Sequence, residues 1–226
     1  MKLQKFTHLV VAILVLAAAL IIYFQIQHYI NENKILKKVI GRLEADSRIA
    51  EVLVTGVNLD EETGKLHTTI KFLEYDIDAK PLEPRYFTFA GNIIQFQSLV
   101  IRFDDIHIRN ADKLKGKSAY LFWKVFMLDG SDTTEHEITQ MSRIPQGYKV
   151  KGSNDSFEEK LWKQFWEYAL NPDRAKSMGI KNAQLEAPGT MFIPGVIYTI
   201  KIEHDGGIRI DSAPIPNILR GERIPR

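Results

Sequence analysis

The side chains with the clearest capacity for chemistry lie in one short acidic segment. Asp104, Asp105 and His107 fall within one run of four residues. In a β-strand alternate residues share a face, so Asp105 and His107 would lie side by side and could ligate Zn²⁺ or Mn²⁺. A catalytic zinc needs three protein ligands, and the spacing identifies no third. The simpler interpretation is a solvent-facing strand end whose charges pair with Arg102 and Arg109.

Two other histidines have acidic neighbours, and neither group predicts a site. In a strand, Glu135 and Glu137 would share one face and His136 would lie on the other, which is poor geometry for a joint site. His204 and Asp205 precede two glycines, in a turn where aspartate is expected for backbone reasons.

The sequence lacks cysteine and also lacks the common nucleophile, phosphate-loop, dinucleotide and zinc-protease motifs. We therefore predict no catalytic residue, no cofactor and no metal site. The alternative hypothesis is a membrane-anchored, metal-dependent hydrolase that uses Asp105 and His107.

An apolar run near the N-terminus, residues 9–24, is the strongest signal in the chain. With its flanks it covers about 20 residues, which at about 1.5 Å per residue matches the ~30 Å hydrocarbon core of a bilayer. We predict a single transmembrane anchor over residues 1–25, with the lipid bilayer as a partner. The alternative is a cleaved signal peptide, because Lys2 and Lys5 form a basic start, but the apolar run continues past the small residues 17–19.

The basic residues around the anchor do not agree on its orientation. A wide count that includes Lys34, Lys37, Lys38 and Arg42 slightly favours a cytoplasmic head, and a close count favours the opposite side. Long downstream domains translocate largely regardless of charge, so we expect a head outside the cytoplasm, periplasmic or extracellular. A cytoplasm-facing regulatory subunit with inverted topology is the alternative.

Residues 26–48 carry a short heptad pattern that predicts a helical coiled-coil stalk. Isoleucine at position a with leucine at position d suits two parallel strands, and Asn33 at an a position would fix their register. We predict self-association, as a dimer or higher oligomer, through Ile26, Tyr29, Asn33, Leu36, Ile40 and Leu43. The alternative is an amphipathic helix packed on its own head, because Ile30, Ile35 and Val39 widen the apolar face.

Residues 49–211 predict a head rich in antiparallel strands. Pairs of alternating segments separated by turn residues predict three hairpins. They are 50–58 with 65–75, 85–89 with 93–103, and 196–203 with 208–211. The Gly91-Asn92 pair suits the tight turn of the second hairpin. Residues 119–128 are apolar on both faces and predict a central strand, whereas 135–141 and 147–151 are weaker strand candidates.

One helical unit interrupts these strands. Asp155 and Ser156 are capping residues for a helix that should end near Leu170, and Asn171-Pro172 should stop it and cap a short second helix. Its apolar stripe predicts packing on the sheet. The stripe contains Phe157, Leu161, Phe165 and Tyr168, with Trp162, Trp166 and Ala169 beside it. The alternative is a surface on which Trp162 and Trp166 contact a partner.

The tail, residues 212–226, is punctuated by proline and carries spaced arginines. Arg220 and Arg223 are weak candidates for contact with a partner or with acidic headgroups, and a poorly ordered terminus is the simpler interpretation. The net charge of +2 gives no reason to expect nucleic acid. The sequence thus predicts an α+β protein that serves as a single-pass scaffold, adaptor or structural subunit with other membrane or envelope proteins.

Overall fold

The computed structural model of the protein describes residues 2–42, 49–76, 78–103, 118–129, 132–149, 155–177, 180–202 and 207–217. The chain is an α+β protein with an apolar N-terminal helix and a body rich in antiparallel sheet. This confirms the predicted fold class at that level. The coiled-coil stalk is not shown by a single chain, and it stays a prediction.

The N-terminal helix, α1 (Lys2–Arg42), runs through the predicted anchor and most of the predicted stalk. Its 41 residues contain no proline, and Gly41 near its end is its one glycine, so little in the sequence interrupts helical hydrogen bonding. The apolar side chains of α1 that the structure describes are exposed rather than packed on the body. Leu43 and the rest of the predicted stalk, residues 43–48, lie outside the described residues.

Across the described residues, ten strands form the body. They are β1 (Ile49–Leu59), β2 (Leu66–Glu74), β3 (Arg85–Phe89), β4 (Ile93–Phe103), β5 (Ser118–Asp129), β6 (Asp132–Glu137), β7 (Ile180–Glu186), β8 (Gly189–Met191), β9 (Val196–Ile202) and β10 (Ile208–Pro214). The first sheet has the order β10-β9-β1-β2-β3, and the second has the order β6-β5-β4-β7, with β8 also paired to β4. The strand pairs in both sheets are antiparallel.

The two sheets pack face to face and bury the main core between them. Alternate residues of each strand point inward, as the period of two requires. The largest contributors are aromatic, and Phe72 of the first sheet stacks on Phe96 of the second with ring centroids 5.6 Å apart. Around this pair lie Val52, Ile70, Phe87, Phe89, Ile94, Phe122, Val125, Tyr198 and Ile200.

A helical layer covers the outer face of the second sheet. It consists of α2 (Asp155–Leu170), α3 (Pro172–Ser177) and a 3₁₀ turn over Gln146–Tyr148. A second core lies between this layer and the sheet, formed by Leu99, Leu121, Trp123, Tyr148, Trp162 and Trp166. The predicted packing of the helix on the sheet is therefore confirmed, and Asn171 caps α3 as predicted, because its Oδ1 accepts a hydrogen bond from Arg174 N at 3.2 Å.

The first and third predicted hairpins are confirmed, and the second is wrong. β3 pairs with β2 in the first sheet, whereas β4 lies in the second sheet between β5 and β7. The short connection after Phe89 carries the chain from one sheet to the other. Phe89 and Ile94 then contribute to the core between the sheets from opposite sides, Phe89 from the first sheet and Ile94 from the second. Gly91 passes so close to Met127 that a Cβ there would lie 2.7 Å from the methionine Sδ.

The weaker strand predictions need correction. β6 ends at Glu137, so residues 138–141 are not in a strand. Of the predicted strand 147–151, residues 147 and 148 belong to the 3₁₀ turn, and residues 150 and 151 lie outside the described residues. The central strand is confirmed as β5, which lies between β6 and β4. A β-bulge leaves Trp123 without a partner in β4, so Trp123 and Lys124 both lie on the outer face, and Lys124 Nζ is 5.3 Å from the centre of the Trp123 ring.

Candidate functional site

The first candidate is the apolar segment of α1, Val11–Asn31. This segment of 21 residues is long and apolar enough to cross a membrane, and none of it is buried against the body. Length and composition alone qualify it, and a signal sequence near the N-terminus would meet the same test. The segment fits a single-pass membrane protein, in agreement with the sequence prediction at that level.

The residues predicted to drive assembly follow one another along α1. Ile26 and Tyr29 are exposed, at 52% and 67% of their full accessible surface. Asn33, Leu36 and Ile40 lie further along the same helix. Because one chain is present, their predicted contacts with a second copy stay a prediction.

The predicted partner-contact residues are located as follows. Trp162 is fully buried and Trp166 is 2% exposed, and both pack on the second sheet. Their side chains therefore offer almost no surface to a partner while α2 stays in place. Arg220 and Arg223 lie outside the described residues, together with the rest of 218–226.

Most of the candidate metal ligands fall in segments that the structure does not describe. Asp104, Asp105 and His107 lie outside the described residues, as do His204 and Asp205. Across the described ranges, no group of three or more histidine, aspartate, glutamate or cysteine side chains is placed to hold a metal ion.

The Glu135-His136-Glu137 segment has a structural role in β6. His136 packs between Phe87 and Phe89 of β3, with ring centroids 5.4 and 5.2 Å apart, and its Nε2 lies 3.4 Å from Thr88 O. Glu135 lies on the other face, where its Oε1 accepts a hydrogen bond from Lys124 Nζ at 2.9 Å. The histidine therefore links the edge strands of the two sheets.

A second link lies one step further along the same edge and forms the wall of a cleft. Arg85, the first residue of β3, donates a hydrogen bond from Nη1 to Ile138 O, just past the end of β6. The cleft beside it, which we call the Arg85 cleft, has a volume of about 370 Å³. It is lined by Glu74, Arg85, Glu137, Ile138, Thr139, Gln140, Arg143, Ile144 and Gln146.

Sequence reasoning missed Arg85, although a signal for it exists. In β3, Phe87 and Phe89 alternate with exposed residues and face the core. Arg85 is in phase with them, so the period of two places a charged side chain on the inner face of the sheet. Burial lowers the pKa of its guanidinium from the ordinary value of an arginine.

No family model, no curated protein and no solved structure matches the chain.

Proposed function

We propose that this protein is a single-pass membrane protein whose β-rich body serves as a scaffold, adaptor or structural subunit of a cell-envelope protein complex. In this proposal the body lies outside the cytoplasm, and the part of α1 beyond the membrane holds two or more copies together. The observation that carries the proposal is the exposure of the whole apolar segment Val11–Asn31.

The free energy of this exposure supports a lipid environment. The exposed apolar side chains include Ile13, Leu14, Leu16, Ile21, Ile22 and Phe24, each at least 56% accessible. Leaving one such side chain in water rather than burying it costs about 1.5–3 kcal/mol. A bilayer removes this cost for the whole segment, and a helix is acceptable there because it satisfies its own backbone hydrogen bonds.

The length of α1 supports a role for its C-terminal part in assembly. Eleven residues of the helix, 32–42, follow the apolar segment, which corresponds to about 16 Å at 1.5 Å per residue. They contain the heptad positions Asn33, Leu36 and Ile40. Anchoring in one membrane raises the effective concentration of the chains and aligns them in parallel, which favours a short coiled coil that would be weak in solution.

Crosslinking in membranes tests the assembly step. The change is Leu36→Asp with Ile40→Asp, which places two charges at the predicted contact positions. We expect crosslinked dimers of the full chain to fall by about tenfold or more, because burying unpaired carboxylates costs several kcal/mol. The measurement is the dimer fraction after treatment with an amine-reactive crosslinker.

The matched control is Lys34→Asp with Lys38→Asp, which introduces the same two aspartates at heptad positions that face away from the contact. Because the control removes two lysines from α1, the dimer fraction must be measured with crosslinks formed at lysines outside α1. Under that condition the control should retain the crosslinked dimer. Wild-type levels of dimer in the Leu36→Asp, Ile40→Asp variant would show that α1 is not the assembly element. C-terminal reporter fusions, one active only outside the cytoplasm and one only inside, test the side on which the body lies.

A further inference from the structure

The Arg85 cleft contains a half-buried cation, the Arg85 guanidinium, that has no ion-pair partner among the described residues. The guanidinium carbon lies 5.7 Å from the ring centre of Phe72 and 5.8 Å from that of Phe87, and Nη1 donates to Ile138 O. Within the part of the chain that the structure describes, no carboxylate is close enough to Arg85 to form an ion pair. Among the described residues, the groups in direct contact with its charge are two aromatic faces and one carbonyl dipole.

This arrangement leaves most of the binding capacity of Arg85 available. A guanidinium has five N–H donors, and Ile138 O takes one of them. Taking a cation out of water is costly unless an anion or hydrogen bonds replace the lost hydration. The lowered pKa of Arg85, for which burial is the cause, agrees with a guanidinium that has lost water without gaining a carboxylate.

The position of the guanidinium is fixed before any ligand binds. The two aromatic rings and the Ile138 carbonyl restrict the side chain, so a ligand would not have to order it. The planar group presents parallel N–H bonds whose spacing matches the two oxygens of a carboxylate. Arginine is thus better suited to this position than lysine, which acts as a point charge.

The other walls of the cleft select among anions. Glu74, Glu137 and Arg143 line the cleft beside Arg85, so the lining carries charges of both signs. The exposed carboxylate of Glu137 favours a ligand that has an N–H donor near its own carboxylate. Gln140 and Gln146 add neutral donors and acceptors at the wall.

The volume limits the size of such a ligand. Small-molecule sites in proteins occupy about 300–1,000 Å³, and the 370 Å³ of the Arg85 cleft lies at the lower end of that range. We propose that the Arg85 cleft binds a carboxylate with an adjacent N–H donor, the group shared by free amino acids and the C-terminal residue of a peptide. This inference goes beyond the proposed function, because it requires neither the membrane anchor nor self-association.

Ligand-observed NMR on the full chain in detergent tests the proposal. The probes are N-acetylglycine, which mimics the end of a peptide, its neutral counterpart N-acetylglycinamide, and glycine, which is a free amino acid. We expect at least one of the two acids to bind about tenfold or more tightly than the amide, which is the strength of one charge-assisted hydrogen bond. Tighter binding of glycine or of N-acetylglycine identifies the source of the carboxylate, and equal binding of acids and amide by the folded protein overturns the proposal.

Three variants locate the binding. Arg85→Gln should bind acid and amide equally, and Arg85→Lys should lose about threefold or more in acid affinity because it keeps the charge but not the planar fork. Arg209→Gln is the control, since Arg209 is exposed on β10 and pairs with Asp211 there, and it should bind as the wild type does. A thermal unfolding curve confirms that each variant is folded. If Arg85→Gln does not fold, Arg85→Lys decides, and unchanged acid affinity in either folded variant overturns the role of Arg85.

Discussion

Two buried threonine hydroxyls show how much one hydrogen bond matters in this body. Thr139 Oγ1 donates to Phe122 O at 2.7 Å, whereas Thr68 Oγ1 is buried in β2 without a partner among the described residues. Both side chains are nearly inaccessible, at 8% and 0% exposure. The same chemical group therefore stabilises the fold at one position and costs free energy at the other.

Substituting valine at each position should separate these effects. Thr68→Val removes an unsatisfied hydroxyl and should raise the unfolding temperature by about 2–4 °C, equivalent to about 1 kcal/mol. Thr139→Val leaves Phe122 O without this donor and should lower the free energy of unfolding by about 1–3 kcal/mol. Thermal and denaturant unfolding of the purified full chain measure both, and a loss of stability in Thr68→Val would contradict the first expectation.

Local sequence signals were sufficient at several individual residues. In the loop between β1 and β2, Asp60 and Gly64 are residue types that favour a turn. In the structure Asp60 Oδ1 accepts hydrogen bonds from Glu62 N and Thr63 N, and Gly64 has a φ of +66°. Hydrogen bonds from Thr63, and then from Glu62, hold the pKa of Asp60 below its usual value. Arg85 was missed because its importance depends on Phe72 and Ile138, which are distant in the sequence.

At the level of elements, the connection between β3 and β4 is the clearest difference between prediction and structure. Glycine and asparagine between two alternating segments indicate a hairpin, and nothing local distinguishes a hairpin from a crossing between sheets. β3 pairs with the edge of β2 that β1 does not occupy. Which edge is unoccupied depends on the tertiary structure and not on the sequence near the turn. The bulge at Trp123 was missed for a similar reason, because it is a shift in the pairing of β5 with β4.

The close approach at this crossing gives a test. Gly91→Ala would place a Cβ 2.7 Å from Met127 Sδ, and because Met127 is buried, we expect a loss of about 1–3 kcal/mol in the free energy of unfolding. Gly56→Ala is the control, since the nearest heavy atom there, Thr69 Cβ, is 3.9 Å away, and its change should stay within about 0.5–1 kcal/mol. Equal losses in the two variants on denaturant unfolding would show that the crossing is not tightly packed.

At the scale of the whole molecule, α1 should determine where the protein resides without affecting how the body folds. The apolar segment is exposed along its entire length, so substitutions there remove no core packing. The sequence alone predicts that the anchor is separate from the body, because residues 9–24 form one apolar run. The two-sheet arrangement of the body did not follow from the sequence, because it depends on pairings between distant strands.

Two lysines in the middle of the segment should therefore release the protein from membranes. Leu16→Lys with Leu20→Lys adds a cost of about 2.5–3.5 kcal/mol per charge near the bilayer centre. Gln27→Lys with Asn31→Lys, at the end of the segment, should remain inserted because long lysine side chains reach the interface. Carbonate extraction of membranes measures the retained fraction. Full retention of the Leu16→Lys, Leu20→Lys variant would contradict a transmembrane position for α1.

The sheet edges are covered to different extents, and this affects how closely copies of the protein can approach one another. His136 and Arg85 fasten β3 to β6, and α2 and α3 lie beside β7, but β10 is an outer strand that pairs with β9. Backbone N–H and C=O groups along such an edge strand can pair with a further strand from a second copy of the chain. The Arg209–Asp211 charges and the terminal Pro214, which has no N–H to offer, oppose that addition. Neighbouring copies can thus stand close together without polymerising into fibrils.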